Sequence, residues 1–148
     1  MSPTMFALLE RVHGHVALLG LALLMHPIVS LFRRKGVPWW TQATADLAAL
    51  LLAAPFGLGW WIYSDYRAHV KGGLYATKSP ALPAFETKEH LAVFAMSLAI
   101  AGTLTLRLAG KDPGGRRTAL ALLLSAWCCG VVTGVIGMWV SAVTTHAW

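Results

Sequence analysis

Charge is scarce in this chain, and negative charge scarcer still. Only 12% of the 148 residues are charged and just six are Asp or Glu, about half the charge density of a soluble globular chain. With 57% hydrophobic residues, too few ionic groups remain to cover a water-soluble domain. Cysteine is nearly absent too. Cys128 and Cys129 are adjacent within an apolar stretch, which fits no zinc or redox spacing; they read as buried small hydrophobes. The sequence has no phosphate-binding loop, no metalloprotease helix, and no nucleophile paired with a base. An independent hydrolase is therefore disfavoured, and a redox or accessory subunit is preferred to a self-contained enzyme. Neither an internal repeat nor a low-complexity segment is present.

What the chain does have is tryptophan, glycine and long apolar runs. Seven Trp and 14 Gly suit membrane interfaces and membrane helices respectively. A spanning helix needs about 20 apolar residues, and four stretches meet that length, at about 14–32, 41–63, 90–109 and 118–143. The runs are continuous and lack the alternation of barrel strands. The expectation is an all-α integral membrane protein with a single domain over 1–148, folded as an up-down four-helix transmembrane bundle. The formal charge of +6 gathers at the ends of the apolar runs, so it reports orientation rather than nucleic-acid binding. Seven basic residues (Arg33, Arg34, Lys35, Arg107, Lys111, Arg116, Arg117) share one side, and five (Arg11, Arg67, Lys71, Lys78, Lys88) share the other. The positive-inside rule then puts both termini and the 64–89 loop on the periplasmic side of a bacterial inner membrane. Glu10 and Arg11 interrupt the first run, and no small-residue cleavage pattern follows, so the N-terminus reads as retained. In the loop, Gly72, Gly73, Pro80 and Pro83 argue against regular structure, and Thr87 is the expected cap of the third span.

Ionisable groups within a span each cost roughly 2.5 to 3.5 kcal/mol on insertion scales, which makes them candidate functional residues. His15 and His26 lie within about 20° of one helical face, whereas His13 and His26 differ by about 220°. His15 is on that account the inward-facing candidate. His90 opens the third span at a similar depth, and in a sequential bundle the first and third helices stand diagonally across the interior. Two such imidazoles can clamp one b-type haem near the outer face, and Pro55, Gly57 and Gly59 thin the second helix there enough for a flat cofactor. Two other readings stay open. The histidines can be ordinary interfacial residues, or His15, His69, His90 and His146 can form a copper or zinc site on the periplasmic side. His13 is an alternative ligand, and Asp65, four residues before His69, is placed to orient it. On the inner side, His26 and Asp46 both lie roughly 10 Å below the interface. They form a possible quinone or proton site, or else a hydrogen bond locking the first hairpin. Trp39, Trp40, Trp60, Trp61, Trp139 and Trp148 read as interface anchors, and Gly130, Gly134 and Gly137 as a helix-packing stripe.

The chain resembles a family of small four-helix bacterial membrane proteins catalogued as a domain of unknown function. The likeness lies in His13-Gly14-His15, in Gly57, Gly59 and Asp65, in His90, in Arg107, and in Gly130, Gly134, Gly137 and His146. It departs by placing His26-Pro27 at the inner end of the first helix. The resemblance implies proteins that sit beside cytochromes or redox proteins and bind a b-type haem. Transmembrane b-type cytochromes are a weaker match, because their two-haem forms need four ligands. The leading expectation is thus an electron-transfer subunit with haem on His15 and His90. Its rival is a non-catalytic accessory subunit of a larger respiratory or photosynthetic complex, partnered by lipid and other subunits.

Overall fold

The computed structural model describes residues 3–33 and 37–145, and every regular element among them is helical. The elements are α1 (Pro3–Phe32), α2 (Trp39–Tyr66), a wide π-helical turn (Arg67–Lys71), α3 (Gly72–Ala76), α4 (Ala81–Ala109) and α5 (Pro113–Thr145). Four of these are long and apolar enough to cross a membrane: α1, α2, α4 and α5. Only 22% to 33% of the most apolar window in each is buried within the chain, so most of that apolar surface points outward.

Helix starts and stops follow local chemistry. Pro38 in extended conformation precedes α2, and Pro113 stands at the first position of α5, where a missing N–H costs nothing. Asp112 accepts hydrogen bonds from the Gly114 and Gly115 amides at 3.2 and 2.6 Å, satisfying two of the orphan donors at that terminus. Gly110 closes α4 with φ of 51°, a left-handed conformation natural only to glycine. Pro27 and Pro55 remain inside continuous helices.

Within the first hairpin, Ser30 meets Thr41 near the connection, Gly20 meets Leu51 midway, and His13 meets Gly59 at the far end. In the second, Gly115 meets Ala109, Gly102 meets Leu123 and Gly137 meets Lys88. The α2–α4 and α1–α5 contacts join the two hairpins, so α1 and α4 stand across the bundle from each other. The main core holds Leu24, Ile28 and Leu31 with Ala45, Ala48, Ala99, Ala119, Leu123 and Ala126. Alanine at so many facing positions lets the helices approach closely. A second, smaller core of Leu74, Ala81, Phe85 and Val140 closes the end carrying α3, hereafter the cap end. The opposite end, with Arg33, Arg107 and Arg116, is the basic end.

Several expectations are corrected. The helices hold 28 to 33 residues and run roughly 42 to 50 Å, so they extend well past the apolar windows. Glu10 and Arg11 lie within α1 rather than before it. The 64–89 segment is largely helical. Pro83 falls in the first turn of α4, where proline is tolerated, and Gly72-Gly73 is held in α3 by the contacts of Leu74 with the small core. Thr87 caps nothing; it lies inside α4, and its hydroxyl donates to the Pro83 carbonyl at 2.9 Å. Gly130 faces Leu21 and Gly137 faces Lys88, whereas a side chain at Gly134 would meet nothing within 4 Å. The stripe thus serves two neighbours and leaves one glycine open. Cys128 is exposed and Cys129 half-buried, so the pair is not part of the core.

Candidate functional site

The bundle interior near the cap end is lined by residues displaced two positions from those the sequence suggested. His13, not His15, turns inward. Its imidazole packs on α2, with Cε1 3.3 Å and Nδ1 3.6 Å from where a Cβ on Gly59 would stand. The space left by Gly59 is thus filled by the protein's own flat ring. His13 Nδ1 is buried beside the Pro55 backbone but makes no hydrogen bond of good geometry. Across the bundle Lys88, not His90, turns inward: its stem lies against Gly137, its Nζ sits 5.0 Å from the centre of the Phe85 ring, and the charges of Glu10 and Glu89 favour its protonated form. The error has a simple cause. His15 and His26 do share a face, but that face is exposed, and His26 was the wrong reference for the interior.

His15, His26 and His90 have a common geometry. His15 Nδ1 donates to the Arg11 carbonyl and His90 Nδ1 to the Glu86 carbonyl, each at 2.7 Å. A carbonyl only accepts, so Nδ1 carries the proton and Nε2 keeps its lone pair. His26 Nδ1 lies 2.8 Å from the Thr44 hydroxyl. That hydroxyl also lies 2.8 Å from the Trp40 carbonyl and 3.1 Å from the Thr41 carbonyl, and when it donates to either one it accepts from the imidazole. All three residues are exposed. His90 lines a shallow groove of about 520 Å³ with Pro83, Glu86, Thr87, Leu91 and Phe94. All six residues belong to α4, so the groove is on the bundle's outside.

At the basic end the expected His26 and Asp46 pair is replaced by two separate bonds, His26 to Thr44 and Asp46 to Arg107. Asp46 Oδ2 accepts from Arg107 at 2.6 Å, and Asp46 Oδ1 accepts from Gln42 Nε2 at 2.8 Å. Gln42 also reaches the Thr103 carbonyl at 3.4 Å, while the buried Thr103 hydroxyl donates to Ala45 at 3.4 Å. Asp46 is thus the centre of a polar clamp joining α2 to α4. The sequence reading missed Gln42, Thr44 and Lys88. The helical spacing of Gln42 with Asp46, and of Trp40 with Thr44, was available as a signal.

The cap is held by charge. Lys71 lies 3.5 Å from Glu86 and 3.3 Å from Glu89, and the Tyr75 hydroxyl donates to Glu86 at 2.9 Å. Burial is the largest single influence on Lys71 and opposes its charge. The hydrogen bond and charge of Glu89, with help from Tyr63 and Glu86, outweigh it and hold the ammonium above the ordinary lysine range. The bond to Glu86, and then that carboxylate's charge, likewise raise the Tyr75 phenol.

Of the remaining expected residues, Gly57 has open space around it and Asp65 is half-buried. His146 lies outside the described residues, as does the side chain of His69. Among the described residues no group of three or more His, Cys, Asp or Glu side chains is placed to hold a metal ion. Comparison with known proteins returns no matching family, curated sequence or solved structure.

Proposed function

We propose that this chain is a multi-pass protein of a bacterial cytoplasmic membrane, an up-down four-helix bundle that serves as an accessory subunit of a membrane redox complex. The basic end faces the cytoplasm, and the cap and both termini lie outside. The observation that carries the reading is the exposure of His15, His26 and His90, each with Nδ1 tied to its own chain. Ligating and proton-accepting histidines are held in this way, one nitrogen anchored and the other free. Their partners therefore lie outside the single chain. A haem clamped between His15 and His90 of one chain would require both rings, which are exposed, to turn inward. The same anchoring favours a second reading, in which His15 or His90 supplies one axial ligand to a haem shared with a neighbouring subunit.

The test is a reduced-minus-oxidised spectrum with a pyridine haemochrome assay. It is run on the isolated chain and on material extracted from its native membrane in mild detergent. The isolated chain is expected to show no b-type band, and the native extract to contain redox subunits. A sharp b-type band at a stoichiometry of about one haem per isolated chain would overturn the accessory reading.

A further inference from the structure

His26 stands apart from the other two outward histidines because of its depth. It lies seven residues before Arg33, roughly 10 Å inward from the basic end along α1. His15 and His90 sit near the level where a span of about 30 Å reaches the other interface. A bare imidazole nitrogen at the depth of His26 faces hydrocarbon in a membrane, where no water satisfies it and an unpaired polar atom costs several kcal/mol. When the Thr44 hydroxyl donates to the Trp40 carbonyl, it accepts from His26 Nδ1, and this is the tautomer the proposal uses. In that tautomer Nε2 accepts, and the occupant it calls for is a hydrogen-bond donor that dissolves in the bilayer core. The ring lies at the α1–α2 seam. One turn along α2 from Thr44 is Trp40, with 51% of its surface exposed, and Val29 and Leu47 are exposed apolar residues one turn from His26 and Thr44 respectively.

We propose that this seam binds a lipid-soluble hydroquinone, with one ring hydroxyl donating to His26 Nε2 and the ring lying against the Trp40 indole. The proposal rests on the membrane reading above. Phospholipid hydroxyls and headgroup amines reside at the interface, about 10 Å too shallow for this nitrogen, whereas a hydroquinone carries its donor on an apolar ring. An oxidised quinone has carbonyls that only accept, so the site selects the reduced form.

The experiment uses the full chain in phosphatidylcholine nanodiscs, titrated anaerobically with decylubiquinol and separately with decylubiquinone, and read by the ¹⁵N resonance of His26 Nε2. Saturable binding is expected for decylubiquinol, with a shift at Nε2 and affinity at least about tenfold above that for decylubiquinone. His26→Leu should abolish the preference and His26→Gln, whose carbonyl can accept, should keep part of it. Thr44→Val should weaken binding by freeing the ring. Helicity by circular dichroism separates these effects from misfolding. Equal affinity for both forms, an unchanged preference in His26→Leu, no saturable binding, or a cross-link from His26 to a second chain would each overturn the proposal. Failure of the chain to float with bilayers would instead overturn the membrane reading beneath it.

Discussion

Substituting Gly102 tests whether the α4–α5 interface is as close as the structure makes it. A Cβ there would stand 2.8 Å from both Leu123 Cδ2 and Cγ, and 3.1 Å from the Leu123 backbone nitrogen. Leu123 is fully buried in the main core, so its side chain has nowhere to retreat. Overpacking of this kind costs about 1 to 3 kcal/mol, against which Gly→Ala in a helix returns up to about 1 kcal/mol in propensity. Gly102→Ala should therefore destabilise by about 1 kcal/mol, within a range of about 0 to 2 kcal/mol. Gly57 provides the control: nothing lies within 4 Å of a Cβ there, and Gly57→Ala should be neutral or stabilising by up to about 1 kcal/mol. Gly130 falls between them, because the obstructing atom is the flexible end of Leu21. Equilibrium unfolding by steric trapping in bicelles would order the variants as Gly57, Gly130, Gly102 by increasing cost. Equal stabilities for Gly57→Ala and Gly102→Ala would refute the packing argument, since propensity alone treats the two sites alike.

Three further outcomes follow from the same structure. Asp112→Ala should remove the α5 cap at a cost of about 1 kcal/mol, seen as faster amide exchange at Gly114 and Gly115 while the middle of α5 is unchanged. The Lys71 and Tyr75 contacts, both with raised pKa in the folded state, stabilise the cap fully below the unfolded values and are lost as pH rises through the folded ones. Exchange in α3 should therefore accelerate at alkaline pH, and again in acid as Glu86, held below the usual carboxylate range mainly by the Tyr75 bond, takes up a proton; Lys71→Met should flatten the part of the alkaline dependence due to the lysine. Diethyl pyrocarbonate should modify His15 and His90 quickly and His13 slowly, and Gly59→Val should raise the His13 rate by displacing its ring; equal rates in the parent chain would contradict the burial assigned to His13.

The four long helices were legible in the sequence because apolar runs of spanning length are long and uninterrupted. Their ends were less so. Glu10, Arg11, Pro80 and Pro83 look like punctuation, yet helices run past the first two and start at the last two, because proline in a first turn surrenders no hydrogen bond. Which histidine faces inward was not legible. Helical arithmetic relates His13, His15 and His26 to one another, but the face turned inward is fixed by Leu24, Ile28 and Leu31 meeting their partners. In an apolar helix, hydrophobicity does not distinguish the face packed on protein from the face turned elsewhere. The partners of Asp46 illustrate the same divide: Gln42 is four residues away on the same helix, whereas Arg107 is 61 residues away and becomes a neighbour only once α2 packs on α4.

That last separation carries a consequence for how the chain is made. Synthesis proceeds from the N-terminus at about 5 to 20 residues per second, so Asp46 emerges several seconds before the arginine that neutralises it. During that interval the carboxylate is without its ion-pair partner. The amide of Gln42, one helical turn earlier, is already present and gives the acid a provisional donor. Arrival of α4 then adds the Arg107 ion pair to the Gln42 bond, and the arrangement comes to span two helices. The first hairpin is thereby a product awaiting completion, and a chain truncated before residue 107 would leave Asp46 in that waiting state.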